Sequence, residues 1–218
     1  MSYLIHGSTS HTGMGWVDQV PRAGKLYIGG LYALYQTDLI RAAGITHVLS
    51  VIDYDPALKE RFPDLVLKHL HIRADDHPNE NLLKHFGEVV RWMDVALGKV
   101  ESTETESKST PGEKDDGGKR GGVFVHCAMG KSRSATLVVA YLMWKYKLDP
   151  KSALDQLCEG RPVCDPNPGF KEQLEVWEEM CKKNRAEERE KVYEEWEKTR
   201  FTGEYWEWDQ RRSEKARL

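Results

Sequence analysis

The feature that most constrains this chain is a strand-to-helix passage near its middle. "GGVFVH" (121–126) is a β-branched run, "CAMGKS" (127–132) is a short loop holding one glycine, and "SRSATLVVAYLMWKY" (132–146) is apolar almost all round. A helix without a polar face has no solvent side, so it must lie at the centre of a fold, covered by other elements. The surrounding sequence supplies them. "KLYIGG" (25–30), "ITHVLSVI" (45–52) and "LVLKHLHI" (65–72) read as strands, and "YQTDLIRAAG" (35–44) as a short helix closed by Gly44. From Asn81 onward Leu82, Phe86, Val89 or Val90, Met93 and Leu97 recur at helical spacing, as do Phe170, Leu174, Trp177 and Cys181 further on; "DPKSALDQLCEG" (149–160) is another helix. The expected fold is α/β: a mostly parallel central sheet flanked by helices, with a charged helical extension at the C-terminus. At 218 residues the chain suits one well-cored domain plus an appendage.

A strand that ends in a glycine-bearing loop and then a helix start aims successive backbone N–H groups at one point, where the helix dipole adds positive character. Residues Ala128, Met129, Gly130, Lys131, Ser132 and Arg133 form this expected anion site. Arg133 brings a planar guanidinium able to grip two oxygens of a phosphate. Cys127, at its floor, would be held as thiolate and could attack phosphorus in line, splitting one hard displacement into two easier ones through a phosphocysteine. The amides and Arg133 would stabilise the equatorial oxygens without a metal. His126 either supports the thiolate or braces the backbone, and Ser134 can donate to the sulfur as it leaves.

The string "HCAMGKSRS" (126–134), H-C-x5-R-S, resembles the signature of cysteine-dependent protein tyrosine phosphatases, and the short chain resembles their dual-specificity branch. "KLYIGGLYAL", "LIRAAGITHVLSVI" and "RPVCDPNPGFKEQL" extend the resemblance over most of residues 22–181, the expected catalytic domain. It implies a cysteine loop at the carboxyl edge of the sheet, hydrolysis without a metal or other cofactor, and phosphoproteins carrying phosphotyrosine, phosphoserine or phosphothreonine as substrates. It also implies a general acid on an aspartate five residues before an asparagine. Asp76 and Asn81 fit that spacing, with the neighbour Asp75 as the competing candidate. Lys131 is shared with lipid-directed relatives whose motif resembles C-K-x-G-K-x-R, but Ala128 stands where they carry their first lysine, which weakens the lipid reading. Phosphoinositides, RNA 5′-phosphates and phosphoglucans are the alternative substrates.

Other groups carry less. Cys127, Cys158, Cys164 and Cys181 are scattered without a C-x-x-C pair, which argues against a structural zinc site or a disulfide framework; the last three are expected to be buried or neutral, and a resolving role for one of them is the alternative. His69 and His71 share a strand face but lack a partner to complete a metal site. Asp38 and Asp53 fall near element ends as caps or turns. The net charge of -3 gives no basic field for nucleic acid or an anionic membrane, and "ATLVVAYLM" (135–143) is too short to span a bilayer. With reduced cysteines and no signal-peptide pattern at "MSYLIHGSTS", a cytoplasmic or nuclear location is expected.

Residues 98–122, rich in Ser, Thr, Gly and charge, read as a flexible insertion about twice as long as an ordinary connection. Residues 182–218 form the charged tail, which concentrates aromatics at its end. Either it folds back on the core, or Trp196, Tyr205, Trp206 and Trp208 meet a protein partner. "NPGFKEQLEVWEEM" and this tail are similar to an atypical dual-specificity branch linked to ribosome assembly, whose zinc-binding module is not found here; an assembly or docking role through the tail is therefore the rival to catalysis.

Overall fold

In the computed structural model, residues 15–98 and 121–215 are described. Five strands form one sheet: β1 (Val17–Gln19), β2 (Leu26–Gly30), β3 (Ile45–Val51), β4 (Lys68–Ile72) and β5 (Gly122–Cys127), in the order β1-β2-β5-β3-β4. The four central and edge strands from β2 to β4 run parallel, while β1 pairs antiparallel with β2. This extra strand begins upstream of residue 22, and three residues give too little alternation for a sequence pattern to register it. The strand expected over 65–72 starts only at Lys68. The stretch expected as an insertion, 98–122, lies outside the described residues except at its ends.

The central strands β2 and β5 are buried on both faces, as strands of parallel sheets are, while the edge strand β4 is partly exposed. Alternation along the strands sends Leu26, Ile28, Leu49, Val51, Val123 and Val125 to one face and Tyr27, Val48 and Phe124 to the other. The larger core lies under α3 (Leu83–Leu97), α4 (Arg133–Tyr146), α5 (Pro150–Gly160) and α6 (Pro168–Cys181). Within it α4 is central: every residue from Arg133 to Met143 is buried, as its sequence requires. The opposite face is covered by a 3-10 turn (Leu31–Tyr35), α1 (Thr37–Ala42) and α2 (Leu58–Arg61). Asp38 sits in the first turn of α1, but the N-cap itself is Gln36 and makes no side-chain cap bond. Asp149 and Asn167 are the capping residues of α5 and α6, accepting from Ser152 N and Phe170 N, each with proline next in line.

Beyond α6 the chain continues into α7 (Ala186–Thr199) and α8 (Tyr205–Lys215). Tyr193 and Trp196 pack against the larger core, and Trp208 is buried, whereas Tyr205 and Trp206 remain exposed. No helix among the described residues is long and apolar enough to cross a membrane.

Candidate active site

The parallel strands end together, with Gly30 level with Cys127, Ser50 level with His126, and Val51 level with Ile72. The loop leaving β5 at Cys127 therefore opens at the carboxyl edge of the sheet and turns at once into the buried N-terminus of α4. Its backbone is fixed by where its carbonyls point. The Ala128 oxygen accepts from Leu31 N (2.9 Å), the Met129 and Gly130 oxygens accept from Arg161 Nη2 and Nε (3.0 and 2.7 Å), and the Lys131 oxygen accepts from Asp165 N (2.9 Å). In a trans peptide the N–H lies opposite the carbonyl. Four outward carbonyls thus turn the N–H groups of Met129, Gly130, Lys131 and Ser132 inward, over the cysteine. One of these is already engaged: Gly130 N donates to Cys127 Sγ at 3.2 Å.

Gly130 is required here. Its φ is +67°, and a Cβ would stand 2.3 Å from the Gly29 carbonyl carbon and oxygen. Arg161, wholly buried, also pairs with Asp18 of β1 at 2.5 Å. A guanidinium shared between two loop carbonyls and a buried carboxylate is thus the outer brace of the loop. Sequence reasoning missed Arg161, which looks like any charged residue after a helix and lies 34 positions from Cys127 in sequence, as it missed the β1 strand that supplies its counter-ion.

Cys127 is buried, with Ser134 Oγ 3.3 Å from its sulfur. Arg133 is nearly buried, donates from Nη1 to the Ala74 carbonyl (2.9 Å), and holds a buried Nε with no hydrogen-bond partner. An unpaired buried donor is costly, and at this place it is a donor reserved for an anion. Met129 and Lys131, at the exposed lip of the loop, complete the set of expected loop residues.

His126 belongs to a polar chain that runs through the sheet. Its Nε2 is 2.7 Å from Ser50 Oγ, which is 2.8 Å from His69 Nε2, while Nδ1 lies 3.4 Å from the Cys127 carbonyl. Burial pushes the His126 imidazole down to about 3, the charges of His69, His71 and Arg133 act the same way, and only the Cys127 carbonyl opposes them. His126 is therefore neutral, with one donor and one acceptor nitrogen. Since the Cys127 carbonyl can only accept, Nδ1 carries the proton, and the direction of donation is His69 to Ser50 to His126 to the backbone of Cys127. His69 is thus tied into the site's support, and His71 donates to the Ile52 carbonyl (2.9 Å). No cluster of three or more His, Cys, Asp or Glu able to hold a metal occurs among the described residues.

Asp76 arrives from the loop after β4. Its Oδ1 accepts from Ser132 Oγ (2.6 Å) and Asn167 Nδ2 (3.0 Å), and its Oδ2 lies 4.0 Å from Arg133 Nε. Asp75, next in sequence, turns away and lines a cleft with His77, Lys84 and Tyr193. Asn81 accepts from Lys84 N at the start of α3 but stands apart from the cysteine loop, bonded to Tyr193 and Glu197 of α7. Ser132 is thus a bridge: its hydroxyl binds Asp76 and accepts from Asn167 N (3.1 Å), leaving its backbone N–H as the part that faces an anion. The remaining cysteines are free thiols; burial raises all three, Cys181 to about 11 and Cys164 further still.

This arrangement and its sequence have close parallels. The family described as dual specificity phosphatase, catalytic domain, matches residues 115–180. The solved phosphatase domain of Yvh1 from Chaetomium thermophilum superposes with a TM-score of 0.62 at 35% identity, covering 75% of this chain and 96% of that one. Dual specificity protein phosphatase 1B of Arabidopsis thaliana is 32% identical over 159 residues, 73% of this chain and 81% of its own. The chain belongs to the dual-specificity phosphatase family. Tyrosine-protein phosphatase YVH1 of Saccharomyces cerevisiae is 33% identical over 166 residues, 72% of this chain but only 42% of the yeast protein. Across the first curated relatives it matches, the chain spans less than half of their length.

Proposed function

We propose that this chain is a phosphoric monoester hydrolase that removes phosphate from phosphotyrosine and phosphoserine or phosphothreonine in proteins through a phosphocysteine on Cys127. The observation that carries the reading is the loop whose four outward carbonyls leave four N–H groups over one buried sulfur, with Arg133 Nε, a buried donor without a hydrogen-bond partner, beside it. Such a cradle fits a tetrahedral oxyanion.

In the first step the Cys127 thiolate attacks phosphorus, and the ester P–O bond breaks with its electron pair moving to the leaving oxygen. Asp76 protonates that oxygen. With Oδ1 already accepting from Ser132 and Asn167, the proton to be given resides on Oδ2, the oxygen turned toward Arg133. In the second step Asp76 takes a proton from water, the water oxygen bonds to phosphorus, and the P–S bond breaks with its pair returning to sulfur. The Ser134 hydroxyl, 3.3 Å away, donates to that sulfur as it leaves. The loop amides and Arg133 hold the equatorial oxygens in both transition states, the electrostatic work that dominates phosphoryl transfer. His126 acts through the backbone it supports.

The test is phosphate release by the purified chain from phosphotyrosine and phosphothreonine peptides and from phosphoinositides in one assay, with Cys127→Ser as control. Release from both peptides that drops by about four orders of magnitude in the variant is the expected result. Release from the lipids alone would move the substrate class, and Cys127-independent release would overturn the reading.

A further inference from the structure

The loop carrying Asp76 is held differently along its length. Near Asp76 it is tied to Ser132 and Asn167, and at its far end the buried Gln173 of α6 accepts from Leu82 N and Leu83 N and donates to the Glu80 carbonyl. At its bend, His77–Asn79, Pro78 lies over Gly169 of α6, where a Cβ would come within 1.9 Å of the Pro78 oxygen. On its outer side lies a cleft of about 480 Å³. The bend is further secured from the C-terminal helices.

Asn79 is the point of attachment. Its Nδ2 donates to the Gly203 carbonyl (3.0 Å), its Oδ1 accepts from Trp208 Nε1 (2.8 Å), and its backbone carbonyl accepts from Arg200 Nη1 (2.8 Å). His77 meets the Tyr205 ring edge to face at 5.6 Å. The helices are stiffened for this purpose: Trp208 is buried against Phe201 (4.9 Å), and Arg211 lies over the Phe201 ring (4.4 Å) and 3.7 Å from Glu172 of α6.

We infer that α7 and α8 are a positioning element for the general acid, clamping Asn79 so that the Asp76 carboxyl is held at the leaving oxygen. Asn79, Arg200 and Trp208 are positioning residues. The inference rests on Asp76 being that acid. A displaced acid penalises poor leaving groups and spares good ones, because only the former need the proton, whereas general damage to the fold slows both alike.

The experiment compares kcat/KM, which reports the steps through P–O cleavage and not the later phosphocysteine hydrolysis that all substrates share, for phenyl phosphate and dinitrophenyl phosphate in the full chain with Asn79→Ala, Trp208→Phe and Asp76→Asn. Trp208→Phe keeps a ring beside Phe201 and removes only the donor. Asp76→Asn is expected to lower kcat/KM for phenyl phosphate by about a hundredfold or more and for dinitrophenyl phosphate far less, while Asn79→Ala lowers it for phenyl phosphate by about tenfold, with Trp208→Phe following the same pattern and dinitrophenyl phosphate changing less than about twofold in these two clamp variants. If Asp76→Asn shows this selectivity but Asn79→Ala and Trp208→Phe slow both substrates equally or not at all, the clamp is wrong and the acid stands. If Asp76→Asn shows no selectivity, the acid assignment falls and the inference with it.

Discussion

The two loops that meet at the site are built on opposite plans. The cysteine loop lies between a fully buried strand and a helix buried from Arg133 to Met143, and its shape is imposed by four consecutive residues, Ala128 to Lys131, whose carbonyls are tied outward. The acid loop belongs to no such unit. It is assembled from side chains on distant elements: Asn167 at the start of α6, Gln173 one turn and a half further along, and Asn79 reaching to α7 and α8. A binding cradle that must present several amides at one point needs a rigid backbone; a proton donor needs only one carboxyl in place, which long-range polar contacts can supply.

Three substitutions probe that contrast, beginning with the brace of the cysteine loop. Arg161→Met is expected to destabilise the fold by about 3–5 kcal/mol, because it leaves Asp18 buried without its ion-pair partner and two loop carbonyls without their donor. Urea unfolding measures the loss, and a stability within experimental error of the parent would show that the loop holds its shape without Arg161.

A more gradual effect, spread over several pH units, is expected from His126. The folded imidazole stays neutral down to about 3, while in the unfolded chain it takes a proton below its usual 6.5. Between these values the unfolded state binds the extra proton, so its contribution to stability is complete above 6.5 and is lost as pH falls toward 3, by at most about 1.4 kcal/mol per pH unit. Unfolding curves at neutral and acid pH should show this slope in the parent and a shallower one in His126→Asn. Equal slopes would mean that burial does not keep His126 neutral.

The smallest effect on stability belongs to the acid loop's support. Asn167→Ala removes the cap of α6, an effect of about 1 kcal/mol, and with it a donor to Asp76. Its signature is a slight fall in melting temperature together with a disproportionate loss of phosphotyrosine turnover. Loss of stability without loss of turnover would show that Ser132 alone suffices to place Asp76.

The same contrast explains what could be read from the sequence. The β5–α4 unit was legible because its pattern is local: an apolar strand, a glycine that only a positive φ explains, and a helix with no polar face. That β2, β5, β3 and β4 run parallel follows from the alternation of strands and helices, whereas their order in the sheet comes from the structure alone. Asp76 could be singled out over Asp75 only through a spacing borrowed from the family, and the structure adds the contacts that distinguish them. Arg161, Asn167, Gln173, Ser50 and Asn79 make these contacts across separations of 30 to 130 residues, so the stretches holding them could resemble the family without showing which partner each would meet. The tail shows the limit in another form. Its aromatics fitted both packing and partner binding, and the structure divides them, burying Trp208 while leaving Tyr205 and Trp206 exposed.

The central claim is that Cys127 carries the phosphoryl group between the two steps. It is tested most directly by mixing the chain with a phosphotyrosine peptide, quenching in acid during turnover, and analysing the digested protein by mass spectrometry. The account predicts a gain of one phosphoryl group on the peptide containing Cys127, absent in Cys127→Ser and more abundant when Ser134→Ala slows the second step. Steady phosphate release with no phosphorylated Cys127 peptide in either the parent or Ser134→Ala would contradict it.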